Sequence, residues 1–338
     1  MNTQKDVAKK AGVSRATVSA VLNENKFVSK ELKEKVLEAI NELNYEVNSI
    51  ARSLKNKKTY TIGVIIEDIF SGFYFPIVHA IEDIAKKYGY SMILCNQNNN
   101  PDEELKYLKV LKSSRADGII MVPTGKNVNY INQILEMGPR IVFLDRLADG
   151  IECDAVLVNN CEGAYLAVKH LIDNGFKKIA IINGFIDLTT GKERLKGYLK
   201  ALTEAGIPKN DEYIKICKVN EKKVNKLLLE LLESDDKPDA IFTSREYDTF
   251  NTIKIIKKLK LKIPEDIAIT GFDDSYSKWS RITSPSITCV RQPLHELGET
   301  AAELLFKKIN NIHTNLRDKP QVVILNTDLV VRDSSLKR

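Results

Sequence analysis

The chain of 338 residues has few of the residues that build metal sites, disulfides or membrane spans. Its five cysteines are scattered without a CxxC pair, so we interpret them as reduced thiols, mostly buried. Its four histidines are dispersed without the spacing of zinc ligands, so we expect neither a metal nor another cofactor. No apolar run has transmembrane length and no cleavable leader opens the chain. We therefore expect a cytoplasmic protein without a membrane partner.

The usual signatures of catalysis are missing as well. The chain contains no glycine-rich phosphate loop, no GxSxG elbow and no HExxH motif. Asp273 and Asp274 are adjacent at a predicted strand end and point apart, which does not suit a pair of catalytic carboxylates. Apolar residues make up 43% and charged residues 28%, as in ordinary soluble domains. We therefore expect a binding protein and not an enzyme.

The first 23 residues have the pattern of two short helices joined by a tight turn. Thr3 and Asp6 form a capping box, and Gly12 supplies the positive φ that ends the first helix. Ser14 can cap the second helix. That helix turns apolar residues inward and leaves small or basic residues outside: Val18, Val21 and Leu22 against Arg15, Ala16, Ser19 and Ala20. The pattern predicts a helix-turn-helix unit, whose second helix enters the DNA major groove.

Positive charge is concentrated in the same part of the chain. Residues 1–60 contain 12 lysines and arginines against 7 acidic residues, a net charge of +5, while the whole chain carries only +6. Binding to DNA phosphates needs such a concentration. A third amphipathic helix, capped by Ser29, completes a small three-helix domain. An ordinary helical hairpin is the plainer alternative for the first two helices, and the charge weighs against it.

After residue 60, short apolar runs alternate with amphipathic helices. The runs span 62–66, 92–95, 118–122, 141–144, 156–158, 179–182, 214–219, 240–242 and 267–270. Continuous apolar strands separated by helices indicate parallel sheets that are buried on both faces. Because these alternations are too many for one compact open sheet, we predict two α/β lobes.

Five N-terminal stretches resemble the lactose-repressor (LacI/GalR) family of bacterial transcription regulators. They are KDVA at 5–8, AGVS at 11–14, ATVS at 16–19, LNY at 43–45 and IARSL at 50–54. The resemblance implies a helix-turn-helix head at 1–46 and a hinge helix with linker at 47–59. It also implies a periplasmic-binding-protein-like core of two lobes, 60–160 with 292–321 and 161–291 with 322–338.

The resemblance further implies a homodimer on double-stranded, pseudo-palindromic operator DNA. The hinge helix would form only on DNA, where Leu54 would act as a wedge between central base pairs. We predict that Arg15, Ala16 and Ala20 read the bases. The complete set of expected DNA contacts is Thr3, Ser14, Arg15, Ala16, Thr17, Ser19, Ala20, Asn23, Asn48, Ala51, Arg52, Leu54 and Lys55.

Ligands of open α/β sheets bind beyond the carboxyl ends of the strands, and several residues there match the family's effector pocket. The predicted effector contacts are Phe73, Tyr74, Asp145, Arg146, Arg194, Arg245, Asp273, Trp279 and Gln292. The family usually has Asn-Asp where this chain has Arg245-Glu246. A second cation beside Arg194 favours an acidic or phosphorylated sugar as effector. Pairing of Arg245 with Glu246 or Asp145 is the alternative.

Three functions fit these features. The first is a DNA-binding repressor of carbohydrate genes, controlled by a small sugar-like effector between the lobes. The second is a solute-binding protein of a transporter, which would need a signal peptide and no basic head. The third is a regulator whose coeffector is a phosphorylated carrier protein. The basic head and the family resemblance favour the first.

Overall fold

The computed structural model describes residues 2–23, 27–45, 58–184, 186–216, 221–274, 279–310 and 319–337. The internal contacts divide the chain into two units, Met1–Thr59 and Tyr60–Arg338. We call them the head and the core and describe each by itself.

The head contains three helices, α1 (Gln4–Ala11), α2 (Arg15–Asn23) and α3 (Lys30–Glu42). The capping box of α1 is present, because Thr3 Oγ1 accepts from the Asp6 N–H and the Asp6 carboxylate accepts from the Thr3 N–H at 2.8 Å. Gly12 ends α1 with a φ of 67°, which few other residues adopt. One residue of each helix is fully buried in the shared core: Val7, Val18 and Val36. The predicted helix-turn-helix fold is confirmed.

The core alternates strands and helices along the chain. Its strands are β1 (Thr61–Ile66), β2 (Ser91–Asn96), β3 (Gly118–Met121), β4 (Arg140–Leu144), β5 (Asp154–Val158), β6 (Ile179–Asn183), β7 (Ile214–Ile216), β8 (Ala240–Thr243), β9 (Ala268–Phe272), β10 (Thr288–Arg291), β11 (Val322–Leu325) and β12 (Asp328–Val330). Its helices are α4 (Tyr74–Lys87), α5 (Pro101–Ser113), α6 (Val128–Met137), α7 (Asn160–Asp173), α8 (Thr189–Glu204), α9 (Glu221–Leu232), α10 (Glu246–Lys258), α11 (Trp279–Ile282) and α12 (Leu294–Asn310).

The strands form two sheets of matching order, one in each lobe. The first runs β11-β5-β4-β3-β1-β2 and is parallel throughout. The second runs β12-β10-β9-β8-β6-β7 and is parallel except at its edge, where β12 lies antiparallel to β10. Central strands such as β3 and β8 are buried along their whole length because helices cover both faces. The predicted two-lobed α/β fold is confirmed.

The last crossing between the lobes differs from the prediction. The chain leaves the first lobe after β5, returns after β10 to form α12, and leaves again after β11. The predicted boundary at residue 322 is wrong, because Val322–Leu325 pairs with β5 and completes the edge of the first sheet. The crossing therefore falls at 326–327. An apolar run alone does not show which sheet edge it joins.

The described residues contain neither a membrane-spanning helix nor a cluster of metal ligands. No helix there has the length and apolar character to span a bilayer. In the same ranges, no group of three or more His, Cys, Asp or Glu side chains is arranged to hold a metal ion. Cys95, Cys153, Cys161 and Cys289 are free thiols.

Candidate functional site

The N-terminal end of α2 presents an exposed face on the head. Ser14, Arg15 and Ala16 are all exposed there. Ser14 Oγ accepts a hydrogen bond from the Thr17 N–H at 3.0 Å, and the two hydroxyls lie 2.9 Å apart. Ser14 and Thr17 therefore stabilise the start of the helix, as Thr3 does for α1. Arg15 and Ala16 are left to project outward, as predicted for residues that read bases.

One predicted base-reading residue is placed differently. Ala20 is only 9% exposed, whereas Ala16, one turn earlier, is exposed. The apolar face of a packed helix is wider than its central positions, and a methyl group beside buried Val21 lies within it. The prediction that Ala20 points outward is therefore wrong. Ser19, which was also predicted to point outward, is half-buried. The Asn23 side chain lies outside the described residues, as do Asn48, Ala51, Arg52, Leu54 and Lys55, so these assignments stay predictions.

A cleft of about 380 Å³ lies between the lobes of the core. This volume falls in the range of about 300–1,000 Å³ typical of ligand sites. The structure brings together there seven of the predicted effector residues: Phe73, Tyr74, Asp145, Arg146, Arg194, Arg245 and Asp273. Gln292 is not a lining residue but contacts one, because its side-chain amide donates a hydrogen bond to Asp273. The Trp279 side chain lies outside the described residues.

Asp145 and Asp273 occupy matching turns at the ends of β4 and β9. Both have a left-handed backbone, with φ of 69° and 79°, a conformation that Asp tolerates better than most residues. Their backbone N–H groups donate to Val156 O at 2.9 Å and Val290 O at 3.0 Å, on the neighbouring strand of each sheet. These bonds aim both carboxylates at the cleft. Burial raises the pKa of Asp145 to about 6, against the opposing attraction of Arg146 and Arg194.

Arg146 is the buried cation of the first lobe, with 2% of its surface exposed. Its guanidinium forms an ion pair with Glu67, which follows β1, and Nη1 donates to Asn99 Oδ1 at 3.4 Å. Its Nε lies 3.8 Å from Asp145 Oδ2. A buried guanidinium with two carboxylates nearby is electrostatically compensated before any ligand binds.

Arg194 is the buried cation of the second lobe, with 6% of its surface exposed. Its Nε donates to Asn160 Oδ1 at 2.8 Å and its Nη1 to the Ser244 carbonyl at 2.5 Å. The guanidinium also stacks over the Phe272 ring, 3.7 Å from the ring centre. Both hydrogen bonds go to neutral oxygen atoms, an amide and a backbone carbonyl. Neutral groups hold this charge in place, which leaves it able to act on a ligand.

Arg245 pairs with a residue that the sequence analysis did not consider. Its Nε and Nη2 donate to the two carboxylate oxygens of Asp248 at 2.8 and 2.9 Å. The carboxylate that compensates Arg245 here is therefore Asp248, which the hypothesis of a strongly positive pocket left out. Pairing with Glu246 or Asp145 stays a prediction. Asp248 lies three residues later in the first turn of α10, where i,i+3 side chains meet. That spacing was available in the sequence.

The aromatic residues divide into buried and exposed sets. Phe73 and Tyr74 are 8% and 5% exposed and pack edge to face within the first lobe's core, while also reaching the cleft. Phe70, by contrast, is 92% exposed and lines the cleft together with Tyr247 and Phe250 of α10, which are 38% and 45% exposed. A sugar or base ring in the cleft can therefore contact the edges of the buried aromatic side chains and the exposed surface of Phe70.

Several polar lining residues were missed by the sequence analysis. Glu67 follows β1, Asn183 ends β6 and Ser244 follows β8, all at carboxyl ends of strands. The rule that selected Asp145 and Asp273 could have found them. The remaining lining residues not foreseen are Asp68, Ser71, Gly184, Leu188, Thr190, Gly191 and Glu246, which come from loops and helix starts.

A helix-turn-helix head joined to a two-lobed ligand cleft defines the class of this protein, and comparison with known proteins agrees. Residues 3–48 match the family described as "Bacterial regulatory proteins, lacI family". Residues 59–332 match "Periplasmic binding proteins and sugar binding domain of LacI family". The chain belongs to the LacI family of bacterial regulatory proteins.

Curated relatives and solved structures cover almost the whole chain. The HTH-type transcriptional repressors PurR of Aliivibrio salmonicida and Pasteurella multocida are each 35% identical, over 99% and 100% of both chains. The lac repressor dimer bound to operator and the anti-inducer ONPF has a TM-score of 0.86 at 25% identity, covering 99% of each chain. A complex of the transcriptional regulator CelR with cellobiose has a TM-score of 0.74 at 27% identity, covering 99% of this chain and 100% of that one.

Proposed function

We propose that this protein is a transcriptional repressor that binds operator DNA as a homodimer and responds to a small effector in the cleft between its lobes. The observation that carries the proposal is the exposed N-terminal end of α2, where Arg15 and Ala16 project from a helix whose start is capped by Ser14. Side chains at this position of a helix-turn-helix unit reach base edges in the major groove. The repressor names of the relatives and the operator in the lac repressor structure support it.

The effector that the cleft fits best is a small hydroxyl-bearing ring. Carboxylates of Asp145 and Asp273 can accept from hydroxyls, while the Arg194 guanidinium donates to them. Aromatic surface beside these groups suits the apolar faces of a sugar ring. The family description as a sugar-binding domain and the cellobiose of the CelR structure are consistent with such a ligand. Binding would shift the balance between two lobe arrangements, and so between operator-bound and free protein.

The proposal is tested with DNA that the protein itself selects from a random library. Full-length protein should enrich a pseudo-palindromic site and bind it with strong salt dependence. Arg15→Ala should weaken binding to that site by about 1–3 kcal/mol and leave binding to random DNA nearly unchanged. Lys35→Ala, which removes an exposed cation from α3, is the matched control. It should weaken binding to the two DNAs equally.

Two results would contradict the proposal or part of it. If no sequence is enriched over random DNA, the protein is not a sequence-specific repressor. Equal losses for Arg15→Ala on selected and random DNA would instead make Arg15 a phosphate contact. Candidate effectors are identified as small molecules that raise the melting temperature of the full-length protein. An effector of the repressor must also change its affinity for the selected DNA site.

A further inference from the structure

The first sheet has one edge at which all of its parallel strands begin and the helices between them end. We call it the basal edge, made of the starts of β1 to β5 and the ends of α4, α5 and α12. The chain enters the core from the head at this edge, through Tyr60. The Tyr60 N–H donates at 2.9 Å to Asp117 Oδ2, just before β3. The cleft lies at the opposite ends of the strands.

Aromatic contacts bring the helix ends of the basal edge together. Tyr88, directly after α4, stacks on Phe306 of α12 with 4.4 Å between the ring centres. The Tyr90 ring centre lies 4.9 Å from that of Phe306 and 5.3 Å from that of Tyr60. The ends of α4 and α12 are therefore packed beside the residue through which the chain arrives from the head.

The helices that end at the basal edge carry lysines in their last turns. These are Lys86 and Lys87 of α4, Lys112 of α5, and Lys307 and Lys308 of α12. Lys86 pairs with Glu82 at 3.0 Å and Lys308 with Asp154 at 3.3 Å. Lys87, Lys112 and Lys307 are exposed. The edge thus presents positive charge to the solvent.

The charge of the lobe as a whole makes this edge distinctive. Residues 60–160 contain 9 lysines and arginines against 13 acidic residues, a net charge of −4. Attraction to the negative end of a helix can place lysines in its last turn. That attraction acts equally in the second lobe, yet α7, α8 and α9 have no lysine or arginine in their last turns, and only α10 does. Helix stabilisation alone does not explain the difference between the lobes.

We propose that the basal edge binds DNA phosphates and so adds sequence-independent contacts from the core to those of the head. A lysine ammonium is a compact charge on a flexible stem, which suits contact with phosphates spaced along a duplex. Of the whole core, this edge is the part that follows the DNA-binding helices most directly in the chain. The inference rests on the proposed function, because it takes DNA to be the partner.

The test is the salt dependence of DNA binding by the full-length protein. Affinities for the selected site and for random DNA of equal length are measured from about 50 to about 200 mM salt, and each phosphate contact contributes about 0.9 to the slope of log affinity against log salt. Lys87→Gln/Lys112→Gln/Lys307→Gln should reduce that slope by about 1–3 on both DNAs and weaken binding at low salt at least about tenfold. Arg15→Ala, by contrast, should act mainly on the selected site.

The matched control removes three lysines from an exposed position on the other lobe. Lys257→Gln/Lys258→Gln/Lys262→Gln makes the same change in net charge at the end of α10 and should keep the wild-type slope. Replacing Lys87, Lys112 and Lys307 by arginine keeps their charges and should keep the slope as well. A folded basal-edge variant with the wild-type slope, or equal reductions in the two glutamine variants, would overturn the proposal.

A second variant covers the case in which the basal-edge triple variant does not fold. Lys112 Nζ lies 5.5 Å from the centre of the Tyr130 ring, so its replacement also removes a packing contact. Lys87→Gln/Lys307→Gln leaves that contact in place and should give about two thirds of the reduction in slope. A wild type that selects no DNA site would contradict the proposed function. A selected site whose salt dependence ignores the basal lysines would contradict this inference alone.

Discussion

The two lobes of the core share one backbone plan. Their sheets have the same strand order, and the third strand from the same edge ends in an aspartate with a left-handed backbone, Asp145 in one lobe and Asp273 in the other. Each aspartate N–H donates to the adjacent strand at nearly the same distance, 2.9 and 3.0 Å. The scaffold thus presents a carboxylate to the cleft from both sides.

The lobes differ in how they compensate the charges beside those aspartates. Arg146 follows Asp145 and pairs with Glu67 inside the cleft. Asp274 follows Asp273 and pairs instead with Arg332 at 2.8 Å, on the C-terminal segment of the second lobe. The buried cation of the second lobe is Arg194, which neutral groups hold. Matched backbones therefore carry a self-compensated cation in one lobe and a cation open to a ligand in the other.

The largest expected effect comes from removing the compensated cation. Arg146→Met removes the cation that pairs with Glu67 and lies 3.8 Å from Asp145, and both carboxylates are partly or fully buried. Breaking a buried pair from one side costs about 3–5 kcal/mol of stability. Urea unfolding followed by the fluorescence of the single tryptophan should show this loss. The double variant Glu67→Gln/Arg146→Met should recover part of the lost stability. If Arg146→Met loses no more stability than Arg194→Met, the proposed difference between the two lobes is wrong.

Arg194→Met should have a smaller effect on stability and a larger one on effector response. It removes two hydrogen bonds to neutral oxygen atoms, those of Asn160 and the Ser244 carbonyl, so we expect a loss of about 1–3 kcal/mol. An effector found by thermal shift should lose its influence on operator affinity in this variant. If Arg194→Met responds like wild type while Arg146→Met does not, the roles of the two cations are reversed.

The smallest expected effect is a pH dependence of stability that comes from the raised pKa of Asp145. Its pKa in the folded protein is about 6, above the ordinary value of 3.8, so the folded state holds the proton more tightly than the unfolded chain. The stabilisation from that proton is complete below the ordinary value and is lost as pH rises through about 6. From about pH 5 to about pH 7, wild type should lose about 1 kcal/mol relative to Asp145→Asn. Stability curves that run parallel over this interval would contradict the assignment.

Local patterns were enough to predict much of this molecule. Thr3, Asp6 and Gly12 determine where α1 begins and ends, because a cap and a left-handed residue act within a few positions of the chain. The alternation of apolar runs and helices predicted two parallel-sheet lobes, and Asp145 and Asp273 were found because they follow such runs. Ala20 was placed outward by helical periodicity alone, which does not report how wide the packed face is.

What the sequence determined by itself is the set of elements, their order and the strand ends at which polar residues can gather. The tertiary structure decided which charges meet there. Glu67 and Arg146 are 79 residues apart in the chain and pair only because β1 and β4 end at the same edge of one sheet. Arg245 lies against Gly184, which follows the neighbouring strand β6 and is 61 residues away in the chain, and it forms an ion pair with Asp248. Such partnerships depend on distance in space, and an ion pair is stable in a buried site only where the fold brings its members into contact.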